Sequence, residues 1–484
     1  QQIINAATKN PAASGSVSYH TMNSYFGRVF YSYADKYMIT ANIRWDGSSN
    51  FADKHRWGVF PSVSGGWNFR EESFIKDVVG DWFSQGKFRA AWGEIGNQNI
   101  SSGAYLTRYG NSTYYLLGNS MTPWLSGGRT NVGNPDLRWE TTRQLDFGLD
   151  LAFFNSALKF NIDYFDRKTS DMLVQVPMPA AIGLPNTPWS NAGSVKNRGF
   201  EFVLDYHGKI GNDFSYNFAG NISTYKNKVL SLGGGTNIPG KTHLGNQVNT
   251  MIEPGKPIGY FYGYKMDGVF QTQEEINNYR GGPDNTIIMP TAEPGDLKFV
   301  DLNGDGKLGE EDRTMIGNPH PDFTFGLTLS GEYKGFDLSM FFQGSVGNDI
   351  LNILKYDIYS GTGWYNAPKD IFDKFWTGPG STNENFAISA NSRDNLTMSE
   401  WYIENGSYVR LKNVTLGYTF PKQWVQKLTV QNLRLFVAAQ NLFTITSYSG
   451  LDPELGNSNP AFMGIDMGWY PQARSFMVGL SLKL

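Results

Sequence analysis

Cysteine is absent from the 484 residues, so disulfide staples and thiolate chemistry are excluded. Apolar runs are also short, because none approaches the roughly 18 to 20 residues that a membrane-spanning helix requires. The net charge of −3 leaves no basic field to attract nucleic acid. The five histidines are scattered without metal-ligand spacing, and no nucleophile motif is present. We therefore expect neither a nucleic-acid partner nor an enzyme.

Aromatic residues and glycine are abundant. Aromatic residues make up 15% of the sequence, and there are 55 glycines beside only 18% charged residues. Aromatic side chains favour strands and membrane interfaces, and glycine favours tight turns. The composition therefore indicates a β-rich protein.

Polar and apolar residues alternate along segments of about ten residues, the length that a tilted strand needs to cross a bilayer. In the clearest segment, Leu145, Phe147, Leu149, Leu151 and Phe153 alternate with Asp146, Gly148, Asp150 and Ala152. Successive side chains of a strand point to opposite faces, so one face is apolar and the other is polar. The segment 157–167 repeats the pattern after a short turn at 154–156, which predicts a β-hairpin.

Thirteen such strands are predicted, near 24–33, 37–46, 58–69, 86–94, 138–153, 157–167, 198–207, 214–225, 322–331, 336–344, 408–420, 432–441 and 475–484. Short and long links alternate between them. Short turns on one rim and long loops on the other are typical of outer-membrane barrels, whereas a soluble sandwich gives no reason for this asymmetry. We therefore predict an all-β fold, a transmembrane antiparallel β-barrel with long extracellular loops.

The odd number of strands indicates that they are part of a larger barrel. A single-chain bacterial barrel closes with an even number of strands, so thirteen would be the C-terminal part of a barrel of about 22 strands with a plugged lumen. We expect about nine further strands and a plug upstream of Gln1. Residues 1–484 then form the C-terminal part of one barrel, in which 226–321 is a long extracellular excursion.

Several motifs in a fixed order carry a resemblance to a known family. They are 26–31 (FGRVFY), 41–51 (ANIRWDGSSNF), 60–63 (FPSV), 134–140 (NPDLRWE), 197–201 (NRGFE), 301–307 (DLNGDGK), 439–443 (AQNLF) and 470–471 (YP). They cover essentially the whole chain. In these motifs the sequence resembles the SusC/RagA-type barrels of Bacteroidota.

The resemblance implies a TonB-dependent transporter of the cell outer membrane, surrounded by membrane lipids. A SusD-like surface lipoprotein would cap the barrel, which would import oligosaccharides or, in some members, peptides. TonB would act through an upstream segment, and neither that segment, a plug domain nor an N-terminal extension precedes the strands in this sequence. The alternatives are a non-transporting surface barrel or adhesin, and a secreted β-rich glycan-degrading enzyme, which the loop asymmetry disfavours.

One acidic loop has the spacing of a calcium site. Asp301, Asn303 and Asp305 supply oxygen ligands at alternating positions, Lys307 would contribute its carbonyl, and Asp312 stands at the twelfth position. The shorter Asp312 replaces the usual glutamate. The alternative is a turn rich in Asn, Asp and Gly. A bound Ca²⁺ would brace the 226–321 excursion rather than take part in catalysis.

The long loops are rich in aromatic residues that could form a binding rim. Aromatic faces stack on sugar rings or on partner side chains. The alternative is that they pack the loops together or lie in the upper membrane girdle. The candidate residues for contacts with a substrate or a partner are Tyr114, Tyr115, Trp124, Trp189, Trp364, Tyr365, Trp376 and Trp401.

Overall fold

The computed structural model describes residues 17, 19–116, 123–175, 188–233, 237–241, 247–359, 365–388, 394–425, 430–457 and 459–483; of these, the side chains of 110–116, 123–130 and 241 lie outside the description. Across these ranges, no helix combines the length and the apolar content needed to cross a membrane.

One antiparallel sheet of thirteen strands dominates the fold, and each strand pairs with its neighbour along the chain. All thirteen predicted strands are confirmed. They are β1 (Met22–Tyr33), β2 (Tyr37–Ser48), β3 (Trp57–Trp67), β4 (Phe83–Asn97), β5 (Glu140–Phe153), β6 (Leu158–Ser170), β7 (Ser194–Ile210), β8 (Phe214–Ser231), β9 (Phe323–Tyr333), β10 (Phe336–Val346), β11 (Tyr408–Thr419), β12 (Asn432–Thr446) and β13 (Ser475–Lys483).

The links between strands differ at the two ends of the sheet. The β9–β10 hairpin turns through Lys334 and Gly335, both with positive φ, which suits the tight hairpin turns that match strand twist. At the opposite end, the connections 98–139, 171–193, 232–322, 347–407 and 447–474 are long. The 49–56 link departs from the pattern, because it is shorter than the 68–82 link on the other rim.

Strand register places the apolar side chains on one face of the sheet. Phe147 lies opposite Tyr164, which in turn lies opposite Phe200, and the Tyr164 and Phe200 rings are 5.1 Å apart. Near the short-turn end, the ring of Phe153 is 5.8 Å from Trp82 and 5.3 Å from Phe83. Aromatic rings flanking an apolar band are typical of the outer surface of a membrane barrel.

The long connections carry smaller elements above the sheet. The loop strands are Arg108–Leu116, Pro123–Asn131, Leu173–Gln175, Trp189–Asn191, Ile238–Lys241, Val248–Ile252, Tyr260–Tyr264, Met266–Val269, Arg280–Gly281, Thr286–Ile287, Leu297–Phe299, Arg313–Gly317, Asp349–Asn352, Ile403–Asn405 and Ile465–Asp466. Three short α-helices also belong to the long connections, namely α2 (Gln273–Asn278), α3 (Leu354–Tyr359) and α4 (Ile371–Lys374), whereas α1 (Ser73–Lys76) and α5 (Lys422–Val425) lie in the links 68–82 and 420–431 at the short-turn end.

The longest excursion lies between β8 and β9. It begins at 232 rather than at the predicted 226, because β8 continues to Ser231. Its strands pair with one another, and Tyr260–Tyr264 lies between Val248–Ile252 and Arg313–Gly317 in a four-stranded sheet. The excursion is therefore a folded unit with its own backbone hydrogen bonds rather than an irregular loop.

Candidate functional site

The inner face of the sheet carries a cluster of charges shared by three strands. Arg89 on β4 donates two hydrogen bonds of 2.8 Å to the carboxylate of Asp150 on β5. Its Nη2 also lies 2.9 Å from Oδ1 of Asp163 on β6, and Asn161 donates to Asp150 at 2.7 Å. The structure therefore places Asp150 and Asp163 on the polar face, as the alternation predicts.

Gly148 makes room for this cluster. A Cβ atom at this position would lie 2.5 Å from Cζ of Arg89 and 2.5 Å from Oδ1 of Asp163. Both contacts are closer than ordinary van der Waals distances. Any larger residue would therefore push the guanidinium away from its two carboxylates.

A niche of about 490 Å³ opens higher on the same face, between β2, β3 and β4. Arg44 lines it and donates from Nε to the buried Asp46 carboxylate at 2.7 and 2.8 Å. Asn42 and Ser62 add polar groups and are joined by a 3.1 Å hydrogen bond. Such a wall offers fixed donors and acceptors to a hydrophilic solute.

Three of the long connections assemble into one loop layer with a shared hydrophobic core. Residues from 232–322, 347–407 and 447–474 contribute buried side chains to it, among them Phe261, Leu351, Trp401 and Ile465. Leu351 and Ile465 also pair through their backbones in parallel. Each large apolar side chain buried in this way contributes roughly 1.5–3 kcal/mol. The loop layer is therefore held by packing as well as by hydrogen bonds.

A buried ion-pair network joins the loop layer to the sheet. Arg410 on β11 is 3% exposed, and it donates to Asp452 at 2.5 Å and to Glu454 at 2.6 Å. Lys412 reaches the same Glu454 at 2.9 Å. Burial raises the pKa of Asp452, but hydrogen bonds from the Gln472 backbone and from Arg410 outweigh it and hold that pKa below its usual range. Asp452 is therefore ionised and fixes the 447–474 connection.

His320 joins the excursion to β8. Its Nδ1 lies 3.1 Å from the hydroxyl of Tyr225, and its Nε2 lies 2.9 Å from the carbonyl oxygen of Ile258. Burial lowers the pKa of His320, although the hydrogen bond to Ile258 opposes the shift. The neutral imidazole therefore holds the 253–260 segment against the wall.

The acidic loop has its side chains turned toward its own backbone. Asp301 accepts hydrogen bonds from the N–H groups of Gly304 and Gly306, at 2.7 and 2.8 Å. Asp312 is fully buried and accepts from the N–H groups of 302, 303 and 309. Each ionised carboxylate has about four acceptor positions, and these bonds use part of them. Within the described residues, no three acidic or histidine side chains are grouped so that they could hold a metal ion. Calcium binding here stays a prediction.

Some of the aromatic residues predicted to form a binding rim are buried in the structure, and one is exposed. Trp401 is 6% exposed and packs at 5.0 Å from the Phe386 ring, and Trp376 is half-buried and donates to Gln271 at 3.2 Å. Trp189 packs against a second core. Packing therefore accounts for these three residues, while Tyr365 is 64% exposed and available for contact.

Four other aromatic candidates cannot be placed in this way. Trp364 lies outside the described residues. Tyr114, Tyr115 and Trp124 lie on two paired loop strands, with Tyr115 opposite Trp124, and their side chains lie outside the description. A role for these four residues in binding stays a prediction.

The anchors Arg410, Asp452 and His320 were not among the residues predicted from the sequence. Arg410 and Asp452 are 42 residues apart, and no local motif connects them. The available signal was a charged residue on an alternating strand that faces the interior at its loop end. Such a residue needs a partner, which only the folded loops identify.

Comparison with known proteins gives the family. The family described as TonB dependent receptor-like, beta-barrel, matches residues 2–442. TonB-dependent receptor P3 of Formosa agariphila is 37% identical over 476 residues, which cover 95% of this chain and 45% of the relative. TonB-dependent receptor SusC of Bacteroides thetaiotaomicron is 32% identical over 478 residues, covering 96% and 44%. The chain thus spans about half the length of these relatives.

Solved structures agree on the fold. The structure of the RagAB peptide transporter superposes with a TM-score of 0.78 at 24% sequence identity, covering 96% of this chain and 47% of that chain. The same importer in its open-open state gives a TM-score of 0.76. With its outer apolar face and polar inner face, and with its similarity to SusC and to the RagAB transporter, the chain belongs to the TonB dependent receptor-like β-barrel family and is an outer-membrane protein.

Proposed function

We propose that this chain forms the conducting wall and the outer vestibule of a TonB-dependent importer of oligosaccharides or peptides. The observation that carries the proposal is the two-sided sheet, which is apolar outside and lined inside by Arg44, Asp46, Arg89, Asp150 and Asp163. A polar inner face admits hydrophilic solutes, whereas an outer apolar face requires lipid. The name of the RagAB peptide transporter supports transport through a barrel of this type.

We also propose a SusD-like surface lipoprotein as the partner of the loop layer, and TonB as the source of energy through a segment outside this sequence. The folded loop layer supports the first part, because a packed platform loses little conformational entropy when a partner binds. In this scheme the loops bind the solute and the lipoprotein together, and displacement of a plug opens the path.

A Ca²⁺ ion in the 301–312 loop completes the proposal. Asp301, Asn303, Asp305 and Asp312 are carboxylate and amide ligands that suit a hard cation, with the Lys307 carbonyl as a fifth. The buried Asp312 fits this role because it already draws the loop ends together. The ion would stiffen the excursion.

Uptake in cells tests the importer directly. The full-length protein that contains this chain is expressed in a strain without its own copy, and entry of labelled oligosaccharides and peptides is measured with and without functional TonB. We expect TonB-dependent entry of one solute class. Arg44→Gln should reduce it, because the polar inner wall loses a fixed charge, whereas Ile43→Val, one residue away on the outer face, should not. Absence of TonB-dependent entry of either class would favour the adhesin alternative.

A further inference from the structure

Cations form a row across the outer face of the sheet, just below the long connections. Register places Arg143 on β5 opposite Lys168 on β6, Lys168 opposite Lys196 on β7, and Lys196 opposite Lys228 on β8. All four belong to the same alternation as the apolar outer residues. We call them the cation row. Like charges directly opposite each other on neighbouring strands repel, so the row destabilises the bare protein.

A second row beneath it adds to the charge. Asp166 on β6 lies opposite Arg198 on β7, which lies opposite Lys226 on β8. Two carboxylates offset part of the total, since Glu94 contacts Arg143 at 2.8 Å and Asp166 contacts Lys196 at 2.7 Å. A third carboxylate, Asp322, lies beside Arg198 and Lys226. Six cations against three carboxylates still leave an excess of positive charge.

Four of the six cations are exposed and carry no ion pair within the part of the chain that the structure describes. They are Lys168, Arg198, Lys226 and Lys228. Their side chains are free to meet an external anion. The anion that suits such a row is phosphate, which accepts several charge-assisted hydrogen bonds at once.

The height of the row points to the membrane. The aromatic outer residues Phe147, Tyr164 and Phe200 lie opposite one another, four positions below the cation row. At about 3.3 Å per residue and a tilt of about 40°, this separation is about 10 Å along the membrane normal. If the aromatic residues mark the upper edge of the hydrocarbon, the cations stand at the level of the lipid headgroups.

A groove connects the two levels. It measures about 360 Å³ and is lined by residues that include Tyr164, Arg198, Phe200, Thr224, Lys226 and Asp322. Its cations lie toward the headgroup level and its aromatic rings toward the hydrocarbon. An acyl chain could therefore lie against the rings while a phosphate contacts the cations.

We propose that this outer surface is a binding site for a lipid with a phosphorylated headgroup in the outer leaflet. The proposal depends on the position of the chain in the outer membrane and not on import. A lipid is favoured over an acidic protein because the groove continues downward onto the apolar band, where only lipid has access.

Lipid retention in nanodiscs tests the proposal. The full-length protein is reconstituted with a diphosphorylated glycolipid or with its dephosphorylated analogue in a zwitterionic bilayer, and the lipid bound per protein is measured by native mass spectrometry. We expect preferential retention of the phosphorylated form. The triple variant Lys168→Gln, Lys196→Gln and Lys228→Gln should lower that retention at least about tenfold.

Matched variants control for charge and folding. Lys209→Gln, Lys334→Gln and Lys422→Gln remove three exposed lysines at the short-turn rim and should leave retention unchanged. Replacing Lys168, Lys196 and Lys228 by arginine should preserve it, which separates loss of charge from misfolding. Equal retention of the two lipids, an unaffected glutamine variant, or complete displacement of the lipid by inorganic phosphate would each overturn the proposal.

Discussion

Arg89 and Asp150 form a bidentate ion pair across β4 and β5, with both hydrogen bonds at 2.8 Å, on the polar face of the sheet. Leu149, the neighbour of Asp150, belongs to the opposite, apolar face. This pair shows how the wall is built, because one strand presents charge to the interior and hydrocarbon to the exterior.

Removing Arg89 should destabilise the wall. In Arg89→Ala, the carboxylates of Asp150 and Asp163 lose a shared cation and repel each other, and we expect a loss of about 1–2 kcal/mol, reduced by partial solvent screening. Urea unfolding in detergent micelles measures it. Lys76→Ala removes a cation from an exposed pair with Glu71 and should change stability by less than about 0.5 kcal/mol. Equal effects of the two variants would contradict the role given to the cluster.

Arg410 should control the 447–474 connection. Arg410→Ala leaves the buried Asp452 without its cation, which costs about 3–5 kcal/mol locally, so we expect new protease cleavage within 447–474. The double variant with Asp452→Ala should lose less than the single variant, because no buried charge is left unpaired. Arg474→Ala, an exposed arginine of the same connection, serves as the control. Unchanged cleavage in Arg410→Ala would show that the network is dispensable.

Acid should loosen the segment that His320 holds. Because burial lowers the pKa of His320 in the folded state, the unfolded state binds the proton first as pH falls below the ordinary value of about 6.5. The contribution of His320 to the free energy of unfolding is therefore largest above pH 6.5. Below that pH it decreases by up to about 1.4 kcal/mol per pH unit, until the pH reaches the pKa of His320 in the folded state. The protection factors of amide hydrogens in 253–260, after correction for the intrinsic exchange rate at each pH, should therefore fall between pH 7 and 5. His320→Gln should make the protection of this segment less dependent on pH. The same pH dependence in the wild type and in the variant would refute the role given to His320.

Calcium should protect the 301–312 loop. We expect chelation to increase proteolysis there, and Asp312→Asn to weaken Ca²⁺ binding at least about tenfold, since ligand charge sets affinity. Lys307→Ala should bind normally, because only its backbone carbonyl would contact the ion. Calorimetric titration of the three proteins separates these results. If the wild-type protein neither binds Ca²⁺ nor becomes more sensitive to protease with chelator, the loop is not a calcium site.

The strands were predictable because membrane and lumen impose opposite chemistry on successive residues. The alternation at 145–153 fixes which side chains face out, and the links around 154–156 and 334–335 are too short for anything but hairpins. The end of β8 was misjudged because Lys226 and Lys228 break the apolar alternation on the outer face, although the ladder continues to Ser231. The backbone hydrogen bonds of β8 therefore continue beyond the apolar band, into the part of the strand that lies outside the hydrocarbon layer.

The site was less predictable than the fold. The sequence suggested that Trp401 contacts a substrate or a partner. In the structure its side chain instead packs into a hydrophobic core to which three distant connections contribute. Arg410 and Asp452 meet only after the 447–474 connection has folded back on β11. Contacts between loops depend on how the loops are arranged in space. The alternation of polar and apolar residues that predicts strands does not predict this arrangement.

Thiol accessibility on two adjacent residues tests the central claim, that the polar face of this sheet conducts solute. The chain has no cysteine of its own, so Ser62→Cys on the inner face and Val63→Cys on the outer face report without background from it. A membrane-impermeant maleimide is applied to cells during uptake. The account predicts that Ser62→Cys is labelled, that labelling blocks entry, and that excess solute slows labelling, while Val63→Cys remains unlabelled. Labelled Ser62→Cys with undiminished uptake, or labelling of Val63→Cys instead, would contradict it.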